Sequence, residues 1–108
     1  MTAPKSDIEA KIHFLSTEEG GGPGPYRSGL RTTHDFGHGG TLSDAMHIFH
    51  DRDQVEPGGT VLSRMSLLYP AAEQGRLYEG FAFTVQEGNR LIGHGRVTRV
   101  LNRDLQRP

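Results

Sequence analysis

The chain has no cysteine, so disulfides, thiolate metal sites and a cysteine nucleophile are all excluded. It also lacks an excess of charge. Twelve Lys and Arg against thirteen Asp and Glu leave a net charge of −1, with no electrostatic footprint for nucleic acid or an anionic membrane. No apolar run approaches a membrane span, and the opening residues MTAPKSDIEAK have no signal-peptide core. The expectation is a cytoplasmic protein with no membrane partner. No G-x-x-x-x-G-K-[ST] loop occurs, so nucleotide hydrolysis is not available to this chain alone and no nucleotide partner is expected.

Apolar residues are also scarce, at 33%, but 15 glycines account for part of the deficit. The apolar residues cluster and alternate, which argues against disorder. A length of 108 residues suits one domain with one core.

Alternation at period 2 carries the fold. Ile8, Ala10, Ile12 and Phe14 alternate with Glu9, Lys11 and His13, a half-buried strand. Residues 18–29 hold five glycines and two prolines and read as a flexible loop. Strands are expected at 30–36, with a Gly-His-Gly-Gly turn after it, at 45–50 and at 60–69, where Pro70 stops the last. One helical turn can fall within 71–80. Phe81, Phe83 and Val85 alternate with Ala82, Thr84 and Gln86 before a Gly88-Asn89 turn, and a long strand over 90–101 completes a hairpin. Phe83 is placed at the centre of the core. Gly93 and Gly95 in the last strand suggest a bulge or corner.

Six short strands with turn-rich links predict an all-β fold, a small six-stranded antiparallel β-barrel, since closure removes exposed edges. The barrel is expected over residues 8–102, between a flexible lead-in at 1–7 and a flexible tail at 103–108.

Six histidines are the obvious place to look for chemistry. His34, His38, His47 and His50, with Asp35 and Asp51, are of the residue types that bind zinc. On a strand, however, His47 and His50 point to opposite faces. Scattered surface histidines are the simpler reading, so no metal and no cofactor are expected. His94, between two glycines, is read as a solvated outer-face residue with ligand contact as the alternative. Arg90, Arg96, Arg99 and Arg103 form a basic strip that would suit an RNA backbone, or a plain solvated strand face. The glycines at 20–24 do not make a phosphate cradle, because Pro23 and Pro25 interrupt them and a strand pattern follows. No Ser/His/Asp set or carboxylate pair stands out, so an enzyme is not expected.

Three segments resemble, in the same order, the third domain of elongation factor Tu. They are IEAKIHFLSTEEGG at residues 8–21, VEPGGTVLSRMSLLYP at 55–70 and RLYEGFAFTVQEGNRLIGHGRVTRVL at 76–101. The resemblance covers more than half the chain and implies a β-barrel with an ancestry in translation. In that family the barrel helps hold aminoacyl-tRNA and packs against a GTPase domain. It implies that Glu87 and Gly88 match a hairpin near the tRNA backbone, and that Arg31 matches an arginine following the first loop. Gly22-Pro23-Gly24-Pro25-Tyr26 departs from the family's His-Thr-Pro-Phe segment, and residues 30–50 match poorly. The expected function is therefore a non-catalytic binding module that docks a protein, with RNA or a histidine-based metal site as alternatives. Its expected contact residues are Tyr26, Arg27, Arg31, Glu87, Gly88, Arg90, His94 and Arg96.

Overall fold

The computed structural model describes residues 5–108. Six strands close an antiparallel barrel: β1 (Ile8–Phe14), β3 (Arg31–His38), β4 (Thr41–Phe49), β6 (Thr60–Leu67), β7 (Ala82–Glu87) and β8 (Arg90–Val100), in the spatial order β1-β6-β4-β3-β7-β8. Two short strands, β2 (Tyr26–Arg27) and β5 (Gln54–Val55), pair with each other outside it. The all-β barrel expected from the alternation is the fold.

The inward positions follow the period of two. Ile8, Ala10, Ile12 and Phe14 of β1 are fully buried, as are Val85 and Ile92, and Phe83 is 4% exposed. Gly95 stands opposite Phe83 across the β7–β8 ladder. A Cβ at Gly95 would lie 2.3 Å from the Phe83 ring, so the missing side chain makes room for that ring at the barrel centre. Two ladder irregularities involve β8, and both leave Gly93 and Gly95 themselves in register. One shifts the β7–β8 register between Val85 and Gln86, and the other shifts β1–β8 between Glu9 and Ala10. The second carries Arg99 to a position opposite Glu9 and changes the strand phase beyond Val97.

β3 and β4 are longer than the sequence pattern indicates. Only Gly39 and Gly40 form their turn, with φ of +65° and +102°, the left-handed pair that a tight hairpin requires. Pro70 ends the β6 region and opens a 3-10 turn, η1 (Pro70–Glu73).

Two segments expected to be loose are packed. The tail forms a second 3-10 turn, η2 (Arg103–Leu105), and Leu105 is 1% exposed. Leu77 N–H donates to Leu105 O, and Arg107 N–H to Leu77 O, which ties the tail to the linker before β7. At the other end, Asp7 is buried and its carboxylate accepts from Leu67 N–H and Asn102 Nδ2. Of the rest of the expected lead-in, residues 1–4 lie outside the described residues.

Candidate functional site

Histidine chemistry divides between the interior and the surface. β3 and β4 both turn a histidine inward, and His34 and His47 are fully buried. Their Nε2 atoms are 2.9 Å apart, and Thr32 Oγ1 lies 2.8 and 2.9 Å from them. His34 Nδ1 lies 2.9 Å from the carbonyl oxygen of Ser43, which can only accept, so the proton is on Nδ1 and Nε2 accepts. His47 must then present Nε2–H to avoid two facing lone pairs, and its Nδ1 accepts from the Ser63 hydroxyl at 2.9 Å. Every ring nitrogen has a partner with both rings neutral. Burial drives the His34 pKa down to about 4 against weaker opposing help from the Ser43 carbonyl. Burial, with His34 as a further cause, brings His47 to about 3.

A second cluster lies near η1. Glu73 is fully buried, and its carboxylate takes Arg76 Nη1 at 2.5 Å, Ser43 Oγ at 3.2 Å and His38 Nε2 at 2.7 Å. Arg76 also donates to Phe36 O at 3.1 Å. The cluster pins η1 onto the irregular end of β3. Its charge is matched by Arg76, which is the condition for a buried carboxylate.

The four histidines considered as metal ligands are therefore not gathered. His34 and His47 meet, His38 pairs with Glu73, and exposed His50 pairs with Asp51. Among the described residues no three His, Cys, Asp or Glu side chains are placed to hold a metal ion. The expectation that these histidines are all surface residues fails for His34 and His47, which occupy the core.

The expected contact residues do not form one surface, and one of them is not on the surface at all. Tyr26 is not a surface residue. Its ring stacks on Phe14 at 4.2 Å and its hydroxyl accepts from Gly22 N–H at 2.6 Å, so the Gly/Pro loop is folded over an aromatic anchor rather than being a plain flexible turn. Arg27 is exposed on the accessory β2 strand. Arg90 is exposed at the β7–β8 hairpin, opposite Glu87.

Arg31, Glu87 and Gly88, distant in sequence, border one depression of about 130 Å3 together with Asp44 and Gln86. Arg31 also borders a second, of about 180 Å3, lined by Asp44, Ala45, Met46, Ser66, Leu67 and Leu68. His94 and Arg96 lie elsewhere, in a larger open concavity of about 750 Å3 shared with Lys11 and His13. Sequence reasoning passed over those last two residues. Alternation in β1 already places them on its outer face, but their position beside β8 follows only from barrel closure.

The chain matches no known protein-family model. Among the described residues no helix is long and apolar enough to cross a membrane.

Proposed function

We propose that this chain is a non-catalytic binding module, related to the third, β-barrel domain of elongation factor Tu, that docks a protein in the cytoplasm through the face around Arg31. The carrying observation is the position of Arg31 on the rim of two adjoining depressions. One is floored by Ala45, Met46, Leu67 and Leu68, and the other by Gln86, Glu87 and Gly88. The residues that the family resemblance singles out, Arg31 with Glu87 and Gly88, thus share one patch. Leu68 is 53% exposed and Ile48 39%, and Met46 lies between Arg31 and Ile48 on the outer face of the sheet. The Ser66 hydroxyl beside them is buried with no hydrogen-bond partner among the described residues.

An apolar floor with an arginine at its edge is what a partner presenting an aliphatic side chain and a carboxylate would fill. Arginine is enriched at protein interfaces because it offers both a forked donor set and an apolar stem. RNA fits the patch less well. No aromatic ring in either depression offers a stacking platform, and Asp44 and Glu87 flank Arg31 where phosphates would approach.

The test uses the wild-type protein and an Arg31→Glu/Leu68→Asp variant as baits in cytoplasmic extract, each with and without RNase. A protein retained by the wild type after RNase treatment and lost with the variant is the expected result. Capture that disappears with RNase, or that the variant retains undiminished, overturns the docking reading.

A further inference from the structure

The 750 Å3 concavity stands apart from the Arg31 face and shares no residue with it. It forms where β3 leaves the sheet. The β3–β7 ladder runs from Thr33 opposite Gln86 to Asp35 opposite Thr84, and no further. Beyond that point the aromatic residues Phe36, Phe81 and Phe83 border the opening, their rings 4.9 Å (Phe36–Phe83) and 6.3 Å (Phe36–Phe81) apart. The volume falls within the range of small-ligand sites, about 300–1,000 Å3.

The rim is basic in an arrangement that the sheet itself does not favour. Lys11 of β1 stands directly opposite Arg96 of β8, and His13 directly opposite His94. All four are exposed outer-face residues. Like charges directly opposite one another on neighbouring strands destabilise a sheet. Three acids lie in the neighbourhood, each accepting a hydrogen bond of its own: Glu9 from Thr98, Glu19 from Ser16 N–H and Asp35, which shares the concavity, from Gly37 N–H. Among the described residues neither Lys11 nor Arg96 has an ion pair. Arg96 is held in place by donating from Nη1 to Gly80 O at 2.8 Å, while His13 is oriented by Thr60 Oγ1 at 3.0 Å. A local rule broken without a compensating partner is what a functional position looks like. A bound anion would turn the Lys11–Arg96 repulsion into two attractions.

We infer that this concavity binds a small phosphate monoester carrying an apolar ring, with the phosphoryl group between Lys11 and Arg96 and the ring against Phe81. Phe81, partly exposed where Phe36 and Phe83 are buried beneath it, decides for a ring-bearing ester over a free ion. The balanced charge of the chain decides for a small molecule over a polyanion. Lys11 and Arg96 supply charge-assisted donors, and His94 adds a ring nitrogen at the same rim.

The probe is phenyl phosphate, titrated into 15N-labelled protein and followed by amide shifts, with inorganic phosphate, phenol and oligouridylate as separate arms. Saturable shifts are expected at residues 11–13, 82–84 and 94–96, with phenyl phosphate binding at least about tenfold tighter than either of its halves, because two contact types act together. Lys11→Glu should weaken binding by about tenfold or more, through loss of one charged hydrogen bond and gain of repulsion. The same variant should raise the melting temperature, since the introduced carboxylate would pair with Arg96, a gain that a purely structural role for Lys11 excludes. Lys11→Gln serves as the second variant and should weaken binding with a smaller thermal gain, since it removes the repulsion but adds no ion pair. Absence of saturable shifts overturns the inference, as does equal affinity for inorganic phosphate or phenol. Tighter binding of oligouridylate at the same amides would overturn it in favour of an RNA surface, and unchanged affinity in Lys11→Glu would overturn the assignment of the phosphoryl position.

Discussion

Two histidine pairs on neighbouring strands of this barrel have opposite fates. His34 and His47 meet inside, where each ring nitrogen has a partner and both rings are held neutral. His13 and His94 face each other outside, beside a Lys11–Arg96 pair that nothing neutralises among the described residues. The inner pair has spent its hydrogen-bonding capacity on the fold, and its burial leaves no approach for a ligand. The outer pair keeps capacity that the fold does not use. Residue type alone therefore says little about role in this chain, and the completeness of each partner set says more.

Acid should separate the pairs most sharply. The folded pKa of both inner rings is depressed below the unfolded value of 6.5, to about 4 for His34 and about 3 for His47. Between pH 6.5 and 4 the unfolded chain binds protons at these sites that the folded chain does not, so stability is fully present above 6.5 and falls as pH drops through that window. The loss should reach the order of a few kcal/mol by about pH 4. Urea denaturation across that range is the measurement, with a His34→Gln/His47→Gln variant as control. A variant slope as steep as the wild type would assign the acid sensitivity to other groups.

At fixed neutral pH, His47→Ala should cost about 1–3 kcal/mol, because it orphans the Ser63 hydroxyl and takes a donor away from His34 Nε2 in a dry core, and more if the cavity does not collapse. His47→Gln should recover part of that loss, since its amide can still donate. A cost under about 0.5 kcal/mol for the alanine variant would mean that water already reaches the pair.

The same contrast explains what could be read in advance. The inward faces of β1 and β7 alternate cleanly, so Ile8, Ile12, Phe14, Phe83 and Val85 announce the core and the barrel. β3 and β4 do not, because their inward positions hold Thr32, His34 and His47, polar residues that look like surface until their partners are known. Tyr26 misleads in the same way, as an aromatic in a Gly/Pro loop that closes back on Phe14 over a contact only tertiary structure reveals. Leu105 is one apolar residue in a polar tail, too weak a pattern to announce that it packs beside Leu77. Of the outer surface, Arg96 is legible as part of a basic strip and His94 as an outer-face residue, while Lys11 and His13 join them through a register set by closing the barrel.

The smallest expected effect tests the outer half of the comparison. His94 is exposed, and none of its side-chain atoms enters a hydrogen bond or ion pair with the described residues. Truncating it removes little packing and leaves no buried group orphaned, so His94→Ala should change stability by less than about 0.5 kcal/mol. His13→Ala forfeits its contact to Thr60, but that contact is exposed and water replaces it, so the same bound applies. Chemical denaturation of both variants at neutral pH provides the measurement. A loss comparable to that of His47→Ala would mean that the outer histidines hold the β1–β8 seam together, and the division between a structural inner pair and an available outer pair would collapse.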